Sequence, residues 1–512
     1  MLWSLPIWLN VGIFLWTIVL GLLYRFFTSH FDHWQKKGVV FEKGLPFFGS
    51  LYPSVTLQKP LMQHLDDLYK KYGSERFVGI FQGRRPALLV RDPQLIKHIT
   101  VKDFGNFHDH GFRIDEEIDP IQGKNLFNLD GERWKEMRAK LTPTFTSGKI
   151  KTMTPMMQEV ATTLQEHLSA VTKGSRLIEA KEVFARYSTD VISSCVFGIE
   201  CNSINNPKNK MRTMGEKIAH VDFWRAIKIF TVINLPEIAD RLKFVIMDST
   251  VTAFFRNLVK NLIEARRKTG ESRKDFIQLL IDLKDRRKQS NAESVSNRLT
   301  DDDLMAQTAV FFLAGFETSA LTLSTICYEL SRNLEIQNRA QSEIDFILAG
   351  SNGNLSHEAL KEMKLRCSSG WILEALRKYP PAGNLMRVCT ENYIIPNTEV
   401  LVEKGTMLLI PSYSLQNDPK YFPNPEIFDP ERFWGENSKG KSQFVHLPFG
   451  EGPRHCIGQR FAFVQIKMAL AIVLSKFRLT LNELTNQPLR FDPKTLISTP
   501  LGGIWLNIEE RI

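Results

Sequence analysis

Residues 449–458 read FGEGPRHCIG, Phe449 to Gly458, and place one cysteine, Cys456, among three glycines and an arginine near the C-terminus of a 512-residue chain. Four chemistries are open to a thiol in so cramped a loop: a disulfide, a zinc ligand, a nucleophile or a metal-bound thiolate. The chain holds six cysteines, at 195, 201, 327, 367, 389 and 456, with no CxxC pair and no framework spacing. That pattern argues against disulfides and against a Cys-rich zinc site. The other five read as small buried apolar residues, and the whole as a reduced, cytosol-facing protein.

With 43% hydrophobic and 24% charged residues, the chain has the material for a substantial core. Its net charge of +10 is modest for this length, and no dense Lys/Arg tract or aromatic-basic stripe marks a nucleic-acid surface. An acidic protein partner or an anionic membrane is the better use of that charge.

The N-terminus, MLWSLPIWLNVGIFLWTIVLGLLY, carries no charged side chain before Arg25, and roughly 20 apolar residues suffice to cross a bilayer. Positive charge comes after the apolar run, at Arg25, Lys36, Lys37 and Lys43, whereas a cleaved signal carries it in front. The expectation is an uncleaved anchor over residues 1–24, a linker over 25–49, and the bulk of the chain on the cytosolic side. Beyond it, RFVGIFQGRRPALLV reads as two strands around a Gly83–Pro86 turn, and helical apolar spacing dominates from Arg133 to about Leu348. Strand character returns in NYIIPNTEVLVEKGTMLLIPSY, FRLTLNE and GGIWLNIEE. The chain carries no Gly-rich dinucleotide fingerprint and no Walker-type loop.

A thiolate that approaches a flat macrocycle from below needs a loop free of bulky side chains, which glycine permits. Backbone N–H groups and Arg454 would stabilise the negative sulfur, and Phe449 would shield it from water. The adjoining QRFAFVQIKMALAIVL has helical period, so Cys456 sits just before a helix N-terminus, where the dipole favours a thiolate.

In its spacing Phe449-x-x-Gly452-x-Arg454-x-Cys456-x-Gly458, this loop resembles the haem-binding loop of the cytochrome P-450 family, whose proximal iron ligand is a cysteine thiolate. Where the family often has Asn, this chain has His455, read as a tolerated change rather than a second ligand. The resemblance implies a mainly α fold with small β-sheets, with residues 50–512 forming a single haem-thiolate domain behind the anchor. It also implies haem b, liganded by Cys456, with Phe449, Gly452, Arg454 and Gly458 around it.

Further stretches match the family in order. AVFFLAGFETSA resembles its distal helix, opened by TDDD, where Thr300 caps and Asp301 to Asp303 favour the positive end. Gly315 in mid-helix costs about 1 kcal/mol relative to Ala and so needs a reason, for which close approach to the haem-bound ligand is the expectation. Ala314 and Thr318 share a face. Glu317 and Thr318 resemble the family's acid–alcohol pair, which delivers protons during catalysis. EALR supplies Glu374 and Arg377, and DPERF supplies Arg432, resembling the family's structural ion-pair triad. Trp134 and Arg138 in WKEMR, and Arg387 in LMRVC, are expected at the haem carboxylates. In SLQNDP, Gln416 and Asn417 stand where the family often has histidines.

The resemblance, nearest to insect microsomal members, implies a monooxygenase that inserts one oxygen atom of O2 into apolar molecules, either xenobiotics or endogenous lipids. No flavin domain is apparent in the sequence, so electrons are expected from a separate NADPH–cytochrome P-450 reductase, with a cytochrome b-type protein as an optional second donor. Lys135, Lys140, Lys439 and Lys441 are candidates for the cationic docking face. The implied place is the endoplasmic reticulum membrane, with lipid and apolar substrate as small-molecule partners and no nucleic acid. Phe107 to Ile121, Phe311, Phe312, Leu385, Met386 and Leu501 to Ile504 are candidates for the pocket wall. The competing reading is a haem-thiolate protein that binds or isomerises hydrophobic ligands without reductase.

Overall fold

A 32-residue helix, Asp301–Arg332, runs through the middle of the molecule. It begins with a capping box: Asp303 N donates to Thr300 Oγ1 and Thr300 N donates back to the Asp303 carboxylate, satisfying two amides that the first turn leaves free. By length and composition this helix could cross a membrane, but 72% of its most apolar stretch is buried, so it is a core helix. The computed structural model from which these features are taken describes residues 7–270, 275–289, 299–363, 368–434 and 443–511. Cys367, Lys439 and Lys441 lie outside the described residues.

Helices Ala180–Ile192, Ser249–Thr269 and Gln459–Lys476 pack against the central one, which gives a mainly α fold. The strands are β1 (Phe77–Gln82), β2 (Arg85–Val90), β3 (Leu177–Glu179), β4 (Leu385–Val388), β5 (Tyr393–Ile394), β6 (Leu401–Val402), β7 (Met407–Ile410), β8 (Phe477–Leu481) and β9 (Trp505–Glu510). They form small sheets in the orders β1-β2-β7-β4, β3-β9-β8 and β5-β6. The first hairpin is tighter than its sequence suggested: Gln82 pairs with Arg85, and Pro86 lies inside β2 opposite Phe81.

The N-terminal helix runs from Ile7 to Thr28, past the expected end at Tyr24, and its side chains from Trp8 to Tyr24 are largely exposed. The segment after this helix is not a free linker. Trp34 is fully buried and its indole N–H donates to Ile80 O at 3.1 Å, while a Cβ on Gly79 would fall 2.4 Å from the Trp34 ring. Lys37 is ion-paired to Glu403 at 2.5 Å, so this cation is tied to the sheet region.

Candidate active site

The Cys456 loop is held by its backbone. Cys456 N donates to Phe449 O at 2.8 Å, closing the loop over its own start. Gly452 has φ +76°, and a Cβ there would fall 1.8 Å from Thr100 O, so only glycine lets this turn lie against the preceding structure. Gly458 is the N-cap of Gln459–Lys476, and the N–H groups of Gly458 and Gln459 face the Cys456 sulfur. Burial nevertheless pushes the thiol pKa up, more than Gly458, the Arg138 charge and Gln459 together pull it down. A thiolate here is completed by a bound cation. Protein surrounds the sulfur, yet Cys456 as a residue is exposed, so it is within reach of a bound molecule.

The central helix has one open stretch in an otherwise buried run. Ala314 is exposed and Leu313 and Thr318 are half-buried, although Phe311, Phe312, Phe316, Glu317 and Ser319 around them are buried. Thr318 Oγ1 donates to Ala314 O at 2.7 Å. Gly315 points elsewhere: a Cβ on it would fall 2.4 Å from Ile192 Cδ1, so its reason is close packing on helix Ala180–Ile192. Glu317 also turns away from Thr318. Its carboxylate is buried and lies 2.5 Å from Lys181 Nζ on that same neighbouring helix.

Three guanidiniums gather near the cysteine loop. Arg387, on β4, is 2% exposed and among the described residues donates only to Met386 O, at 2.7 Å, its buried Nε having no partner there; burial lowers its pKa to about 10. Arg138, which feels the Cys456 charge, has no carboxylate partner among the described residues. Arg454 is committed differently from its expected role at the sulfur. It donates to His108 O and Leu129 O at 2.7 Å each and to Phe127 O at 3.3 Å, near Asp109 and Asp130, and stacks on Trp134 at 4.1 Å. His110, inside the Phe107–Ile121 stretch expected at the pocket wall, is kept neutral to about pH 3 by burial and by Arg387 and Arg454. It donates Nδ1–H to Phe127 O at 2.8 Å.

Arg377 grips Glu374 through two bonds of 2.8 and 2.9 Å, both side chains fully buried, and Arg432 Nε stands 3.4 Å from the same carboxylate. Arg377 also donates to Gln416 O and Pro425 O. Gln416 completes this framework: its amide donates to Leu376 O and Arg377 O and accepts from Leu447 N at the start of the cysteine loop. Gln416 and Asn417 are thus bonded to the ion-pair segment rather than free to reach a cofactor carboxylate. His455 bonds back to Gly452 O at 2.8 Å on the exposed side of the loop. Among the pocket candidates, Phe311 stacks on Phe145 and Phe312 packs on Phe255 and Phe316, as core. Leu501 is exposed.

A flat iron macrocycle bearing carboxylates fits this set. Arg387 and Arg138 have no anion partner among the described residues, Arg138 feels the Cys456 charge, and Ala314 is exposed between buried neighbours. The cytochrome P450 family model matches residues 40–507. The chain belongs to the cytochrome P450 family. It is 38% identical to cytochrome P450 9e2 of Blattella germanica, with 98% of each chain covered. It is 36% identical to cytochrome P450 6B1 of Papilio polyxenes, covering 97% of this chain and 98% of the other. Against cytochrome P450 6a2 of Drosophila melanogaster the identity is 38%, over 98% and 99%. As a cytochrome P450 monooxygenase, the chain binds haem through a thiolate.

Proposed function

We propose that this P450 oxidises apolar small molecules, xenobiotics or endogenous lipids, at a microsomal membrane, with electrons from a separate NADPH-dependent reductase. The observation that carries the reading is the glycine-bounded Cys456 loop, closed by Cys456 N donating to Phe449 O, with Arg138 close enough to feel the sulfur's charge. Haem, when bound, supplies the redox chemistry that activates O2 for insertion into a C–H or C=C bond. Cys456 is its ligand, and Arg387 and Arg138 hold its carboxylates. Thr318 donates its Oγ1 proton to Ala314 O, which leaves the oxygen's lone pairs to accept a hydrogen bond. Glu317, paired to the partly exposed Lys181, is positioned to pass protons inward from solvent.

Behind the cysteine loop, a cavity of about 550 Å³ lined by Phe433, His446, Phe449, Gly452 and His455 supports docking of an electron donor close to the sulfur. The cationic contribution of Lys135 and Lys140 is tempered by Glu132 at 3.2 Å and Glu136 at 3.4 Å. The exposed apolar N-terminal helix supports membrane anchoring, with Arg25 at its last turn favouring a cytosolic catalytic domain.

A reduced-CO difference spectrum followed by reductase-supported NADPH consumption tests the reading. A thiolate spectrum with product formation from apolar compounds is expected. The same spectrum with no reductase-driven product, across diverse apolar compounds, would instead favour ligand binding or isomerisation.

A further inference from the structure

The cysteine loop rests on a shelf formed by residues 93–103. Asp92 caps helix Pro93–Lys97 by accepting from Gln94 N at 3.0 Å. Ile99, Thr100 and Val101 then follow as three β-branched residues in succession, a run that disfavours a further α-helical turn. The chain makes one wider turn instead, His98–Lys102, closed by Asp103 N donating to His98 O at 2.8 Å. Thr100 is fully buried in its middle. Its hydroxyl donates to Ile96 O at 2.7 Å, and its carbonyl bears on Gly452, where a Cβ would overlap it. Ile96 and Ile99 share a buried apolar cluster with Phe444 and Leu447, which lead into the cysteine loop. The shelf thus supports that loop on both sides of Phe449.

A carboxylate holds the wide turn. Asp103 Oδ2 accepts from His98 Nδ1 at 2.7 Å, across the same turn that the backbone bond closes, and from Tyr393 Oη on β5 at 2.6 Å. Burial pushes the Asp103 pKa up, but the bonds from Tyr393 and His98 more than offset it, so the carboxyl sits below its ordinary range. Tyr393 in turn packs edge-on against the fully buried Phe107, with ring centres 4.8 Å apart. Turns of this width have poorer helical geometry and persist where the fold needs a special backbone position. Here that position is the Thr100 carbonyl. We propose that Asp103, with His98 and Tyr393, is a positioning cluster for Cys456: it holds the wide turn so that Thr100 O stays against Gly452, and thereby keeps the loop in the form that presents the sulfur to iron as a thiolate. His455 N donates to Gly452 O at 3.0 Å, so a displacement at Gly452 passes to the residue before Cys456.

The test follows thiolate ligation itself. Full-length, haem-loaded wild type, Asp103→Asn and Tyr393→Phe are reduced under CO in dilute guanidinium, and loss of the thiolate band is timed alongside tryptophan fluorescence, which reports unfolding. Asp103→Asn weakens two bonds to a charged group, so the band should be lost about tenfold faster than in wild type. Tyr393→Phe removes one of them and should accelerate the loss about threefold. In both variants the band should fade before the fluorescence changes. Tyr72→Phe is the control. It also removes a tyrosine–carboxylate bond, from Tyr72 Oη to Glu42 Oε2 at 2.8 Å, but on the segment that follows the N-terminal helix. It should lose the band at the wild-type rate. A wild-type rate in Asp103→Asn would overturn the proposal. Equal acceleration in Tyr72→Phe, or band loss that only tracks the fluorescence, would also overturn it, since either marks general loosening. If Asp103→Asn does not take up haem, the same criteria apply to Tyr393→Phe. The measurement uses haem and CO without substrate or reductase, so its failure and failure of the proposed function are separable.

Discussion

Glu317 Oε1 lies 2.5 Å from Lys181 Nζ, joining the central helix to helix Ala180–Ile192, while its sequence neighbour Thr318, half-buried, donates to Ala314 O on its own helix. The two members of the acid–alcohol pair thus point in different directions, and the acid reaches solvent through a lysine whose side chain is 19% exposed. Their proximity along the chain does not by itself make them one catalytic unit. Lys181 determines where the carboxylate rests.

Lys181→Met should leave the Glu317 carboxylate buried without a counter-ion and destabilise the holoenzyme by about 2 kcal/mol, discounted for the partial exposure of the lysine. Glu317→Gln in the same background should restore much of the loss, because no charge is then stranded. Thermal denaturation of the four members of the cycle measures the coupling. Additive effects would show that the pair carries no interaction energy.

Gly315, two positions before Glu317, obeys a different constraint. Gly315→Ala places a methyl 2.4 Å from Ile192 Cδ1, so the two helices must separate or the isoleucine must change rotamer. The expected cost is about 1–3 kcal/mol. Ile192→Ala in combination should recover part of it by removing the obstructing atoms. A thermal shift that Ile192→Ala leaves untouched would point to a cause other than this contact.

These cases mark where the sequence was legible. The Cys456 loop and the Glu374–Arg377 pair are each written in a few contiguous residues, and the family resemblance gave them their roles; Thr300 as a helix cap was legible in TDDD itself. The Glu317–Lys181 pair bridges 136 positions, and neither helical period nor local motif encodes such a meeting. Gly315 was legible as an anomaly but not as a contact, since its neighbour Ile192 comes from another helix. Gln416 looked like a departure from the family's histidine and proved to be a fully buried brace, because its partners Leu376 and Leu447 come from distant segments. Asp119 and His110 fall in the Phe107–Ile121 stretch expected at the pocket wall, but nothing in the sequence singles them out, and only the fold reveals that both are buried.

Asp130 offers a pH-dependent test. Burial, with Asp109 nearby, raises its pKa from 3.8 to about 6, and Arg454 offsets this only in part. The folded state therefore binds the proton more tightly than the unfolded one. Its contribution to stability falls as pH rises from 3.8 through about 6, and above that window the full penalty applies. Asp130→Asn should stabilise the protein at pH 7 by about 1 kcal/mol, allowing for partial exposure, and have almost no effect below pH 4. Melting temperatures at the two pH values check this; an equal shift at both would locate the effect in packing.

Arg387 gives the sharpest contrast between loaded and haem-free protein. Among the described residues its guanidinium is buried with one backbone acceptor and no anion, and burial lowers its pKa to about 10. Without a carboxylate beside it, keeping that charge inside is unfavourable by on the order of 3 kcal/mol, from the size of the shift. A haem carboxylate removes the penalty. Arg387→Met should therefore stabilise the haem-free protein while speeding haem loss to an acceptor such as apomyoglobin. The melting-temperature gap between loaded and haem-free forms should narrow. If the variant destabilises both forms equally and haem transfer keeps its wild-type rate, Arg387 serves β4 packing and the cofactor carboxylates are held elsewhere.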